Sequence, residues 1–425
     1  MRAPFLLLLT LSLASPAPAS AAEVRLTLEE ALAEVREKGE GWEIAALRVE
    51  ESRALRREAL SPLLPSLSLG GSGVWNGVTV DIGGSSFRPR YDWDATARLS
   101  LTLVDPALYP SYRAAARQTR AAEARAAWIR AELLFEVEQA FFQLAALEEE
   151  LSIARRAAEL RATYVERARA LIASELALPI DLARARASQL EAEQLVLDAE
   201  GRLGSGADAL ALLLGRAPDG GLRASFDTTL PPEQPPEAAP EVPPGGRADL
   251  RGLKLSLEAR RLQIDRRWWS LFPALSLSGQ VGLGEPSFTS PDGYSGSITL
   301  SLRWTLYDGG ATYALLAAER ARARIEELEL SRATRRAEAE MSRARRDWRL
   351  SFAVIGVATE KLEAARQAHE MARARFEAGT ADTIEVDEAA DALLRAEVDL
   401  NRARLRARIA RAAYLHQSET GEQSP

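Results

Sequence analysis

Residues 95–103 read Ala95-Thr96-Ala97-Arg98-Leu99-Ser100-Leu101-Thr102-Leu103, and their alternation decides the fold. Ala95, Ala97, Leu99, Leu101 and Leu103 fall on one side of an extended chain, with Thr96, Arg98, Ser100 and Thr102 on the other. The same pattern recurs three times. Ile298, Leu300, Leu302, Trp304 and Leu306 oppose Ser297, Thr299, Ser301, Arg303 and Thr305. Leu275, Leu277, Val281 and Leu283 alternate with Ser276, Ser278, Gln280 and Gly284, and Leu67 and Leu69 with Ser66 and Ser68. A strand with one apolar and one polar face suits a barrel wall between lipid and a wet lumen, and it also suits a soluble sandwich whose apolar side covers a core. In the barrel, Arg98 and Arg303 point into the lumen.

Working outward, the context favours the barrel. Trp75, Tyr91 and Trp93 sit near the ends of the first strand pair, and Trp268, Trp269, Trp304 and Tyr307 near the ends of the second. Indole and phenol rings favour the membrane–water interface. Loops 76–90 and 285–296 read as exposed turns. The strands, expected at about 65–75, 95–104, 273–284 and 297–306, are followed by very long Ala/Arg/Glu/Leu stretches at 106–171 and 312–376. As helices these run to about 100 Å each, too long for a compact domain. Shorter helices are expected at 28–60, 180–214, 248–268 and 383–416, and Thr27 with Glu30 forms a capping box opening the first.

The chain is internally duplicated. Pro65-Ser-Leu-Ser-Leu69 returns as Pro273-Ala-Leu-Ser-Leu277, and Leu99-Ser-Leu101 as Leu300-Ser-Leu302. The first repeat is assigned to 23–214 and the second to 248–416. Segments 28–60 and 383–416, from opposite ends of the sequence, together complete one return helix. Between the repeats, 215–247 carries seven prolines from Pro231 to Pro244 and reads as an extended equatorial segment packed outside the helices. Residues 417–425 form a disordered tail.

Arg2, the apolar run Phe5–Leu13 and the small residues up to Ala22 make a secretory signal peptide over residues 1–22. No later stretch is apolar for the ~18 residues of a membrane-spanning helix, so any membrane span is made of strands. The chain has no cysteine, which excludes disulfides and thiolate chemistry, and its net charge of −7 argues against a nucleic-acid partner.

Four strands cannot close a barrel, and an open edge in lipid leaves backbone groups unpaired at several kcal/mol each. Twelve strands from three chains give closure with an open lumen, although closure alone leaves dimer and tetramer in play.

Leu26-Thr-Leu-Glu-Glu-Ala31, Leu64-Pro-Ser-Leu-Ser-Leu69, Leu306-Tyr-Asp-Gly-Gly310 and Phe376-Glu-Ala-Gly-Thr380 together resemble the hallmarks of the TolC family of outer-membrane efflux proteins, over essentially the whole mature chain. The resemblance implies an α+β membrane protein: a trimeric twelve-stranded β-barrel, four strands per chain, continued by a long periplasmic α-helical barrel. It implies a passive exit duct in the outer membrane of a diderm bacterium, serving tripartite efflux or type I secretion. Its partners are two further copies of itself, a periplasmic adaptor (membrane fusion protein), an inner-membrane transporter and outer-membrane lipid. No cofactor is implied.

The family's periplasmic gate carries over to Thr383-Ile-Glu-Val-Asp-Glu-Ala389. There Glu385 and Glu388, three apart on one helix face, would ring the closed tip, with Asp387 between them and Asp181 at the matching place in the first copy. Acids at a helix start also favour the helix dipole without any gate. Gly379, Thr380 and Phe376 are the expected tip turn and adaptor contact. The pattern departs from the family at Phe376, which lacks the hydroxyl that would reach Asp181, at Ala381, which replaces a locking arginine, and at 173–179, which lacks the family glycine.

Two other classes compete. A periplasmic coiled-coil adaptor or scaffold without a pore would use the long helices but leave the amphipathic strands unexplained. An enzyme would need a site, and the sequence has neither a phosphate loop nor a nucleophile elbow. Its only histidines, His369 and His416, are expected on helix surfaces.

Overall fold

The computed structural model describes residues 23–78, 80–82, 85–88, 90–174, 178–235, 246–284, 292–378, 380 and 383–418. The expected signal peptide at 1–22 and the last residues, 419–425, lie outside them. The chain divides into two compact units.

One unit holds residues 40–135, 235–349 and 410–425, and contains the large sheet. Its elements are α2 (Glu40–Leu60), β2 (Ser66–Trp75), β3 (Val80–Ile82), β4 (Ser85–Arg88), β5 (Tyr91–Val104), the start of α3 (Leu108–Ala173), α5 (Ala248–Trp269), β7 (Ala274–Gly284), β8 (Tyr294–Arg303) and most of α6 (Ala311–Glu377). The strands pair antiparallel in the order β2-β5-β7-β8, so β2 and β8 are the edges. The stretch expected as a plain loop at 76–90 contains the hairpin β3–β4.

Register keeps the two faces separate. Leu67 opposes Leu99, and Leu101 opposes Leu277, which opposes Leu300. On the other face Ser66, Ser100, Ser278 and Thr299 form one row, and Ser68, Arg98, Gln280 and Ser297 the next. A one-residue slip would exchange the faces, so the alternation itself fixes the register.

The strands depart from the sequence expectation in their bounds, β5 beginning at Tyr91 and β8 at Tyr294, and in one bulge. β8 stops at Arg303, which pairs with the first residue of β7, Ala274, leaving Trp304 and Leu306 beyond the last ladder rung. In β5 the register shifts between Thr102 and Val104, so Leu103 and Val104 together oppose Leu275. This bulge ends the strict alternation one residue before the strand ends.

Both strand-to-long-helix junctions turn on an aspartate. Before α6, Gly309 and Gly310 adopt φ of 68° and 87°, a left-handed conformation that glycine takes without strain. Asp308 then accepts from Thr312 N–H at 2.8 Å and Gly310 N–H at 3.1 Å. In the first copy Asp105 accepts from Ala107 N–H at 2.9 Å.

The second unit holds residues 1–39, 136–234 and 350–409. It contains β1 (Val24–Leu26), α1 (Leu28–Lys38), the remainder of α3, α4 (Pro179–Leu213), β6 (Leu222–Ala224), the end of α6 and most of α7 (Thr383–Ser418). The return helix drawn over 28–60 is broken at Gly39, where α1 ends and α2 begins. Residues 417 and 418, assigned to a tail, continue α7. The capping box is present: Glu30 N–H donates to Thr27 Oγ1 at 3.3 Å and Thr27 N–H to Glu30 Oε2 at 2.8 Å.

Small buried residues recur in steps of seven along the helices: Ala185, Ala192 and Ala199 on α4, Ala396 and Ala403 on α7. That period lets helices pack side by side in a shallow left-handed supercoil, and alanine lets their backbones approach closely. Buried Glu150 of α3 accepts from Arg202 of α4 at 3.1 Å and Arg402 of α7 at 3.0 Å, so one carboxylate joins three helices.

Part of the Pro-rich segment is ordered in this unit. β6 pairs parallel with β1, and Ala224 N–H donates to Glu148 at 2.7 Å. Arg408 of α7 donates to the carbonyls of Thr228 (3.2 Å) and Leu230 (2.6 Å) while covering the ring of Phe226. Burial pushes its guanidinium down to about 10.

Candidate functional site

The candidate residues fall in two places: the α6–α7 turn with its supports, and the polar face of the large sheet.

At the turn, α6 ends at Glu377 and α7 starts at Thr383. Gly379 and Ala381 lie outside the described residues, as do 175–177 of the first-copy turn. Arg375 organises what is described. Its carbonyl accepts from Thr380 N–H at 2.8 Å and Thr380 Oγ1 at 3.0 Å, and its guanidinium pairs with Glu385 across the turn. Sequence reasoning missed this arginine, which lies six residues before Ala381.

The acids expected to act together do not share one environment. Glu385 is engaged by Arg375, whereas Glu388 is exposed. Asp387 is half-buried and accepts from Ser188 Oγ of α4 at 3.3 Å. Burial raises its carboxyl above the ordinary range, partly offset by the Ser188 bond and nearby Arg161. Asp181 accepts from Leu178 N–H at 2.9 Å, securing the start of α4. Phe376, expected as a partner contact, is only 7% exposed and packs with Ala372 and Val386 against Tyr164 and Leu171. Its ring supports the turn from within.

Just behind lies a polar layer. Arg161 of α3 is buried and pairs with Asp391 of α7. Tyr164 Oη lies 2.8 Å from His369 Nε2. His369 is buried, not on a surface, and burial chiefly, with Arg373 nearby, holds its imidazole below the usual value. His416 is also buried, in the other unit, stacked 5.2 Å from Phe135 and tilted against Trp128 at 4.5 Å. A heptad signal marks the first of these: Leu362, Ala365, His369, Ala372 and Phe376 alternate by three and four, so His369 occupies a core position. Among the described residues no group of His, Cys, Asp and Glu is placed to hold a metal.

On the sheet, Arg98 donates to Gln280 Oε1 at 2.7 and 3.2 Å, within the polar row that includes Ser68 and Ser297. Arg303 lies on the same face at the end of β8, six residues from Ser297. The two arginines expected in the lumen therefore sit at different levels of the sheet. The opposite face is bare in the single chain: Leu69 is 80% exposed, Ile298 84%. No helix among the described residues is long and apolar enough to cross a membrane.

Known proteins show the same architecture. The structure of VceC from Vibrio cholerae, an outer membrane protein, aligns with a TM-score of 0.77 at 20% identity, covering 92% of this chain and 95% of that one. The CmeC outer membrane channel of Campylobacter jejuni gives 0.83 at 16% identity, covering 99% and 94%. The open-state MtrE outer membrane channel of Neisseria gonorrhoeae gives 0.75 at 20%, covering 95% and 93%. A search of curated proteins found no match. At these identities the likeness shows the fold. The family itself is shown by sequence, because the pattern of the outer membrane efflux proteins matches residues 43–216 and 245–415, each span taking in one copy of the duplicated unit. The chain belongs to the outer membrane efflux protein family.

Proposed function

We propose that three copies of this outer-membrane efflux protein close their sheets into one twelve-stranded barrel and serve as a passive exit duct. One observation carries this reading. Among the described residues the sheet ends in two unpaired edges, β2 and β8, and on its apolar face Leu67, Leu69, Leu99, Ile298, Leu300 and Leu302 are exposed. In lipid such edges must pair, and joining β2 of one copy to β8 of the next satisfies all of them at once. The helices would continue the duct into the periplasm. There an adaptor and an inner-membrane transporter, which supplies the energy, would meet the α6–α7 turn. Arg98 and Arg303 would line the barrel lumen.

At the tip, Glu388 is the freest of the candidate gate acids and Glu385 is held by Arg375. Three copies would bring several carboxylates around one opening and favour cations there. Asp387 and Asp181 brace the helices behind it, and Thr380 is held to the Arg375 carbonyl in the turn.

The chain has no native cysteine, so cross-linking tests closure cleanly. Paired cysteines, one along β2 and one along β8, are expected to yield a covalent trimer on oxidation in membranes for at least one register. A panel giving only monomers or dimers would overturn the arrangement.

A further inference from the structure

The C-terminal end of α5 carries Arg266-Arg267-Trp268-Trp269, directly before the turn into β7. Farther from the sheet, two arginines of this helix have acidic partners. Arg260 reaches Glu326 at 2.8 Å and Glu319 at 3.5 Å, and Arg261 reaches Glu327 at 3.6 Å. Next to the sheet this stops. Arg266 donates only to the neutral Gln263, at 3.3 Å, and Arg267 has no carboxylate within ion-pair reach among the described residues. Among the described residues these two adjacent guanidinium groups have no counter-charge.

Their surroundings are those of a membrane boundary. Trp269 lies one turn beyond Arg266 on the same helix face, and its ring sits 5.1 Å from that of Phe272. Trp304 lies just past the end of β8, and its Nε1–H donates to the carbonyl of Leu271 at 3.1 Å. That bond ties the helix-to-strand turn to the apolar rim of the sheet. Trp269, Phe272 and Trp304 are 44%, 51% and 57% exposed, and the bond to Leu271 brings Trp304 beside the Trp269–Phe272 pair.

We infer that the end of α5 is a binding site for a phospholipid of the periplasmic leaflet, its headgroup phosphate held by Arg266 and Arg267 and its upper acyl chains laid on Trp269, Phe272 and Trp304. The charge, the depth and the apolar neighbours match an anionic phosphodiester carrying two hydrocarbon chains. Guanidinium offers the paired donors that phosphate oxygens accept, and tryptophan favours the headgroup level. The site rests on the barrel reading, since the sheet's apolar face must meet lipid for its rim to lie at the interface.

The test uses the full-length protein in detergent and native mass spectrometry, with phosphatidylglycerol as the probe and phosphatidylcholine as the reference. The wild type is expected to retain phosphatidylglycerol preferentially. R266Q/R267Q should lower that retention about tenfold, R266K/R267K should keep most of it, and W269S/F272S should weaken retention of both lipids. Equal phosphatidylglycerol retention in wild type and R266Q/R267Q would overturn the site. So would full displacement of the lipid by 10 mM inorganic phosphate, which would mean a free-anion site. A loss of oligomer in R266Q/R267Q, with lipid retained, would assign the arginines to a neighbouring copy and overturn it too. Failure of the barrel reading would show separately, as wild type that does not enter membranes at all.

Discussion

Tyr164 of α3 and His369 of α6 meet through a 2.8 Å contact between Oη and Nε2, behind the α6–α7 turn. Burial lifts the phenol to about 12 and lowers the imidazole, so both are neutral at pH 7 and the hydroxyl can serve as the donor. Tyr164→Phe leaves the buried nitrogen without its partner and is expected to cost about 1–2 kcal/mol of stability, measured by denaturant unfolding followed by circular dichroism. An unchanged midpoint would mean the contact contributes nothing.

His416 gives the pH dependence. Burial first, and then Arg247 nearby, pulls its folded pKa down to about 4. A lowered folded value means the neutral form is the stabilising one. Its contribution is complete above the unfolded pKa near 6.5 and is lost as pH falls from there through about 4. The melting temperature should therefore drop across that window, and His416→Phe, which keeps the ring against Phe135 and Trp128, should flatten the drop. A variant with the same pH profile as wild type would contradict this.

Arg247 tests the knot beneath it. This buried guanidinium binds Asp249 at 2.8 Å, Glu340 at 3.2 Å and Gln417 at 2.6 Å, and covers the Trp128 ring at 4.5 Å. Arg247→Ala would take a partner from the partly exposed Asp249 and Glu340 and uncover the Trp128 ring, a loss of about 1–3 kcal/mol. Replacing Glu340 by Gln as well should recover part of it, measured as a double-mutant cycle.

How much was legible in the sequence varied with the range of the interactions. Alternation in 95–103 and 298–302 is a local signal, and the paired faces followed from it. The bulge at Leu103 did not, because alternation in one strand says nothing about where its partner runs out. The same holds for the Arg98–Gln280 bond, which needs the register of β5 against β7. The burial of His369 escaped notice because Tyr164 is 205 residues away, although the heptad from Leu362 to Phe376 held the clue. The Arg375–Glu385 pair spans only ten residues. It follows no helical spacing of three or four, because Arg375 lies in the last turn of one helix and Glu385 in the first turn of the next.

The two faces of the sheet predict opposite tolerances. Leu69→Arg places a charge toward lipid and should cost about 2–4 kcal/mol in membrane folding, read from heat-modifiable migration after refolding into vesicles. Ser68→Arg, one residue earlier on the polar face beside Arg98, should cost far less. Equal losses at both positions would remove the distinction between lipid and lumen.

The most direct measurement is single-channel recording of the purified protein in planar bilayers, with Glu385→Ala/Glu388→Ala and Arg375→Ala beside it. The expected result is discrete conductance steps that divalent cations reduce, a block weakened in the double variant and a higher open probability once Arg375 no longer ties the turn. Protein that inserts as an intact trimer yet never conducts would contradict the channel itself.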